Sequence, residues 1–349
     1  MRKFDYSFLN DSLIPSYILN LIVGISELKV KTNYRKKEHT NIFLNLEKVS
    51  KLHSIKSSNE IEGIKTTHDR IISIVNSNAI PINHNEAEIA GYRDALNSVH
   101  SDYNSITFSE EDILTLHKTI YYKINHDFGG YYKAQNNVIV EYDAQRNRKI
   151  KFSPIPANQV KEAMQNLIEA YNAAILNPNI NPLLLIPCVI LDFLCIHPFT
   201  DGNGRVSRLL SLLLLYQNGY DVGKYISFEE EINKYVELYY SSLQLSSNNW
   251  HSNENTYLPF IGNFLTTLYS CYNELDNRFT IISGNKLSKQ NRIKSLILNS
   301  NQPISKYEIC EKLPDISPTT VEMVLGSLVK NKLIQKIGNG RSTKYIRSN

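Results

Sequence analysis

The chain has 349 residues, 42% of them hydrophobic, and a formal net charge of +4, enough for two or three domains and a sizeable core. No window reaches the roughly 18 uninterrupted apolar residues of a membrane span, and the opening MRKFDYSFLNDS lacks the apolar block of a secretion signal. The four cysteines (Cys188, Cys195, Cys271, Cys310) are scattered without a CxxC pair, so neither a zinc site nor a disulfide framework is indicated, and a cytoplasmic location without membrane contact is expected.

In chain order, residues 1–85 read as a helical region carrying SSNEIEGIKTT near its end. Ser58 and Glu62 are four apart and share a helix face. Gly63 either ends that turn or admits a close backbone. Residues 128–160 contain two short β-prone runs, Val138-Ile139-Val140 and Lys149-Ile150-Lys151-Phe152, around a polar turn. That pattern predicts a hairpin. Residues 182–196, PLLLIPCVILDFLCI, are apolar enough for a buried helix, and RVSRLLSLLLLYQNG predicts another, closing at Gly219.

Between these two helices lies HPFTDGNGRVSR, His197 to Arg208. Its residue types suit nucleotide phosphate chemistry. An imidazole such as His197 can take a proton from an attacking hydroxyl. A carboxylate such as Asp201 can hold Mg²⁺. Gly202-Asn203-Gly204 should open the second helix, where unpaired N–H groups and the positive dipole end favour an anion. Arg205 and Arg208, three apart, can offer guanidinium forks from one helix face.

Farther on, EEEINKYVELYYSSL (229–243) predicts one helix, and a linker is expected around 281–290. Residues 281–349 hold twelve Lys/Arg against four Asp/Glu, so the tail is basic and the remainder slightly acidic. Its pattern is a helix over 291–299, a second over 305–313 stopped by Pro314, and a third capped by Ser317 with Pro318 at its first position. Two strands turned at Gly338-Asn339-Gly340 follow. This resembles a winged helix-turn-helix. Thr319, Thr320 and Glu322 are the expected outward positions of the third helix. Residues 317–347 could contact DNA through phosphates and the major groove; protein contact or dimerisation is the other use of such a unit.

The stretch 197–208 resembles the Fic motif HPFx(D/E)GNGRxxR at every defined position. The resemblance implies a mainly α protein: a Fic-type helical core over 86–280 with a β-hairpin flap, preceded by a helical region (1–85) and followed by the winged helix (281–349). It implies transfer of AMP from ATP to a Ser, Thr or Tyr hydroxyl of a target protein, or of the chain itself. His197 would be the base, and Asp201 would hold Mg²⁺. Gly202, Asn203 and Gly204 would cradle phosphate. Arg205 would bind the α/β region and Arg208 the γ-phosphate, with Phe199 anchoring the loop from below. Ser58-x-x-x-Glu62-Gly63 is similar to the inhibitory pattern (S/T)xxxE(G/N), which implies that Glu62 competes for Arg208.

The flap, 131–155, would dock the target as an added strand; Lys133 stands where the family pattern leads one to expect Arg. Tyr239, Tyr240 and Leu243 fall where relatives line the adenine pocket, and Asn233 is placed to contact nucleotide. Homodimerisation and removal of AMP occur in such proteins. Two further readings stay open: a DNA-binding regulator whose core only senses nucleotide, and a UMP or phosphate donor in place of ATP.

Overall fold

The computed structural model describes residues 2–11, 13–124, 128–142, 148–283, 288–298, 300, 302–340 and 343–347, with backbone alone at 141–142, 148–149 and 280–283. Contacts divide the chain into two units: Met1–Ser26 with Ser50–Cys271, and Glu27–Val49 with Tyr272–Asn349. The region 1–85 thus contributes residues to both. Among the described residues no helix is long and apolar enough to cross a membrane, and all four cysteines are free.

The helices of the first part are α1 (Ser16–Glu38), α2 (Thr40–Ile61), α3 (His68–Ser77), α4 (His84–Asp102) and α5 (Glu110–Tyr121). A hairpin of β1 (Ile139–Tyr142) and β2 (Arg148–Phe152) comes next. Then follow α6 (Val160–Ile175), α7 (Pro182–Ile196), α8 (Asn203–Gln217), α9 (Phe228–Lys234), α10 (Val236–Ser247) and α11 (Leu258–Ser283). The centre of the larger unit is the pair α7 and α8. α7 starts on Asn181, whose side chain accepts from the Leu183 N–H, with Pro182 in the first turn, and every residue from Leu183 to Ile196 is buried. A helix apolar on all sides must be enclosed, and α7 packs on α6, α8 and α10 while α4 packs on α3, α5 and α8.

The hairpin forms where expected, antiparallel with Val140 opposite Ile150; the turn between its strands lies outside the described residues. Residues 229–243 differ from expectation. They form two helices, because Tyr235 adopts a non-helical backbone (φ −127°, ψ 39°) between α9 and α10. The break re-aims the second half onto α7. α2 ends as its sequence suggests: Gly63 has φ +78° with open space around it, so it terminates the helix and admits no neighbour.

In the second unit, α12 (Lys289–Leu298), β3 (Ile304–Ser305), α13 (Lys306–Lys312), α14 (Pro318–Lys330), β4 (Ile334–Ile337) and β5 (Lys344–Arg347) follow in order. The expected linker 281–290 is shorter than predicted, with α11 reaching Ser283, α12 starting at Lys289 and residues 284–287 outside the described set. Ser305 and Glu308 form a capping box on α13, and Ser317 caps α14 with Pro318 in its first turn. The sheet order is β3-β5-β4, all antiparallel. Ile293, Ile297, Ile309, Leu313, Val321, Leu325 and Ile334 are among the residues of its core. Arg292 grips Asp315 through two bonds of 2.8 and 2.7 Å.

Candidate active site

The α7–α8 connection is built from its own side chains. His197 closes α7 in the left-handed region (φ 52°), donating its backbone N–H to the Phe193 carbonyl at 3.0 Å. Phe199 is fully buried. Asn203 closes a ring with it: the Phe199 N–H donates to Asn203 Oδ1, and Asn203 Nδ2 donates to the Phe199 carbonyl, both at 2.9 Å. Gly202 caps α8 at φ +81°, where a Cβ would strike the Tyr121 hydroxyl at 2.8 Å. Asp201 accepts from the Gly202 N–H (2.7 Å) and from the Tyr121 hydroxyl (2.8 Å), yet its side chain is 64% exposed.

The two arginines part company. Arg205 is buried under the loop, 2.5 Å from Glu88 and 2.6 Å from the Tyr121 hydroxyl. It braces the Asp201 side of the loop and does not line the cavity. Arg208, also buried, donates Nε to Ser58 Oγ and its terminal nitrogen to both the Ser58 carbonyl and Glu62 Oε1, each at 2.8 Å. Glu62 reaches over the start of α8: a Cβ on Gly204 would stand 2.2 Å from Glu62 Oε1. The carboxylate therefore lies at the positive end of α8, where an anion is favoured.

A cavity of about 330 Å³ opens here. Glu62, His197, Gly204 and Arg208 line one side; Tyr239, Tyr240, Leu243, Gln244 and Ser247 of α10 line another. The hairpin contributes Ile139, Lys151 and Phe152. Burial, reinforced by the charge of Lys133, pushes His197 down to about 4, against the opposing pull of the Leu194 carbonyl, Glu62 and Asp201. Lys133 is buried beneath the loop, with its N–H on the Pro198 carbonyl (2.9 Å) and its ammonium on Asn137 (2.8 Å). Burial brings its own pKa down to about 8.

Of the residues expected from sequence, His197, Gly204, Arg208, Glu62, Tyr239, Tyr240 and Leu243 meet at one cavity. Three others differ. The Asn203 side chain is turned inward onto Phe199, so that residue offers phosphate no more than its backbone. Arg205 is spent on Glu88 and Tyr121. Asn233 is absent from the cavity lining and donates to Glu60 at 3.2 Å, which makes it a tie to α2. Sequence reasoning missed Glu88, His117 and Tyr121. His117 and Tyr121 are four apart on α5, and that spacing beside Gly-rich 129–130 was the available signal.

Residues 107–215 match the model of the Fic/DOC family, and the site just described falls inside or against them. The chain is 28% identical over 123 residues to a Fido domain-containing protein of Dictyostelium discoideum, which covers 35% of this chain and 80% of that one. Its fold is similar to a Fic family protein from Desulfovibrio desulfuricans (TM-score 0.62, 20% identity, 97% of this chain and 98% of that one). It is also similar to a Fic domain containing signaling protein from Bacteroides thetaiotaomicron (TM-score 0.55, 21% identity, 74% and 94%). Residues 107–215 thus resemble a Fic/DOC domain, and the fold is mainly helical and similar to that of solved Fic proteins. Proteins with such domains are typically enzymes that transfer nucleotide monophosphates to proteins.

Proposed function

We propose that this chain is a protein adenylyltransferase that moves AMP from ATP to a protein hydroxyl and is held back by Glu62. The observation that carries the reading is the Arg208–Glu62 pair at 2.8 Å inside the cavity that His197 lines. The base cone of α8, with Gly204 unencumbered by a Cβ and Arg208 beside it, suits a polyphosphate. The tyrosines and Leu243 of α10 give a largely apolar wall for a base.

In the transfer, the hydroxyl oxygen attacks the α-phosphorus, its proton passes to His197, and the bond to pyrophosphate breaks. Arg208 and the α8 N-terminus hold the departing negative charge. Most of the acceleration comes from placement and electrostatics. Asp201 suits a Mg²⁺ partner. Its carboxylate is mostly exposed. That fits an ion held by one carboxylate and the substrate's own phosphates. Bound there, Mg²⁺ would neutralise phosphate charge and orient the triphosphate. Among the described residues β1 and β2 pair only with each other, which suits a target segment added as a third strand.

In the resting chain Glu62 occupies the anion seat and Arg208. ATP must then bind with its phosphates displaced. Incubating wild type and Glu62→Gly with labelled ATP and Mg²⁺ should give low self-labelling in the first and at least a tenfold rise in the second. Equal labelling would refute inhibition by Glu62. Labelling with UTP but not ATP would move the reading to a different donor. We read the second unit as a winged helix-turn-helix, from its strand order and the capped pair α13–α14.

A further inference from the structure

α5 sets two side chains, one turn apart, against the Asp201 segment. His117 Nε2 lies 3.0 Å from the Asp201 carbonyl, and the Gly130 N–H lies 2.9 Å from His117 Nδ1. An amide N–H can only donate, so Nδ1 carries the lone pair. The ring proton is then on Nε2 and is donated to Asp201. The ring is wholly buried and stacked on Phe199, centroids 3.7 Å apart and planes within 3°. A His that merely filled space would gain nothing from its nitrogens; here both are bonded, to two different segments. Among the described hydrogen bonds, His117 supplies the donor to the Asp201 carbonyl. One turn on, Tyr121 donates to the Asp201 carboxylate at 2.8 Å. Asp201 is thus gripped from behind at backbone and side chain while its front stays exposed.

We propose that His117 is a positioning residue for the metal-bound nucleotide: it fixes the Asp201 backbone, and with it the direction in which the carboxylate meets Mg²⁺. The inference rests on the magnesium reading of Asp201 given above. Groups that orient a metal's ligands from outside are typically worth about 10–100-fold in metal affinity.

The test uses the full chain carrying Glu62→Gly, with ATP affinity measured by calorimetry at rising Mg²⁺ and again in EDTA. His117→Phe keeps the stack and removes both bonds. It should raise the Mg²⁺ needed for half-maximal ATP affinity by about tenfold or more while leaving binding in EDTA unchanged. His117→Gln places an amide nitrogen near Nε2 and should recover most of the parental Mg²⁺ midpoint. His117→Asn places a carbonyl near Nδ1, serves Gly130 alone, and should not. If His117→Phe fails to fold, the Gln and Asn pair decides. A parental Mg²⁺ midpoint in His117→Phe overturns the proposal. So does an equal displacement in Gln and Asn that follows their loss of thermal stability. If the parent itself binds ATP without any response to Mg²⁺, the magnesium reading of Asp201 falls first, and this inference with it.

Discussion

At the scale of single residues, the proposed reaction rests on His197. Burial puts its pKa near 4, so it is neutral throughout the physiological range and ready to accept a proton. A base this weak gains strength when anionic phosphates arrive beside it, since their charge favours the imidazolium. General-base assistance typically supplies about 10²–10⁴-fold, and His197→Ala should lose at least that much in single-turnover labelling by the Glu62→Gly form. The pH profile follows from the sign of the shift. In the nucleotide-free chain the neutral form is already full at pH 6–8, so kcat/KM should stay level there and fall only as pH drops below about 5. Glu62 is one of the charges holding that pKa up. Its removal should move the acid limb lower, not higher. Measured as kcat/KM, which reports the nucleotide-free chain, a limb centred near 6.5 would mean that His197 sits in water.

At the scale of elements, the helix start at Gly202-Asn203-Gly204 and the buried α7 were legible from residue types, because a Gly turn between apolar runs has few other uses. The roles within that start were less legible. Spacing puts Arg205 and Arg208 on one face, but only tertiary neighbours decide that Glu88 takes one and Ser58 with Glu62 the other. For the same reason the kink at Tyr235 has no signature in a sequence whose local propensity is helical throughout. The α4–α5 contact offers a sharp test. A Cβ on Gly91 would stand 2.0 Å from the Ile120 carbonyl, a backbone atom that cannot swing aside. Gly91→Ala should therefore cost about 1–3 kcal/mol, as overpacked cores do, read as a lowered urea midpoint. Because Ile120 adjoins Tyr121, labelling activity should fall with it. An unchanged midpoint would show that the two helices separate freely.

At the scale of the whole molecule, charge divides unevenly along the chain, and the basic tail belongs to a unit with its own core. The outward positions of α14 carry little that reads bases: Thr319 and Met323 are exposed, and Glu322 is bound to Lys306 at 2.6 Å. α14 itself carries one cation, Lys330 at its last position, and Lys332, Lys336, Lys344 and Arg347 follow it. Any contact with DNA should thus be made to phosphate and be indifferent to sequence. Duplex binding by the full chain should weaken roughly tenfold or more between about 50 and 200 mM salt, and scrambled duplexes should compete equally. No binding at the lower salt would remove DNA as a partner and leave protein contact for this unit. Sequence alone marked this tail as separate through its caps and charge. It could not show that Glu322 on that face is paired with Lys306.

The Arg208 seat has one more consequence. A guanidinium sealed from water is a burden to a fold unless something negative answers it, and this chain carries the answer within itself. On the proposed reading it can therefore mature and persist while ATP is scarce, its own carboxylate standing in for the missing triphosphate. Lifting the restraint by deleting Glu62 also strips that internal chaperone. The most active forms of the protein should be the ones that most need their substrate to stay intact.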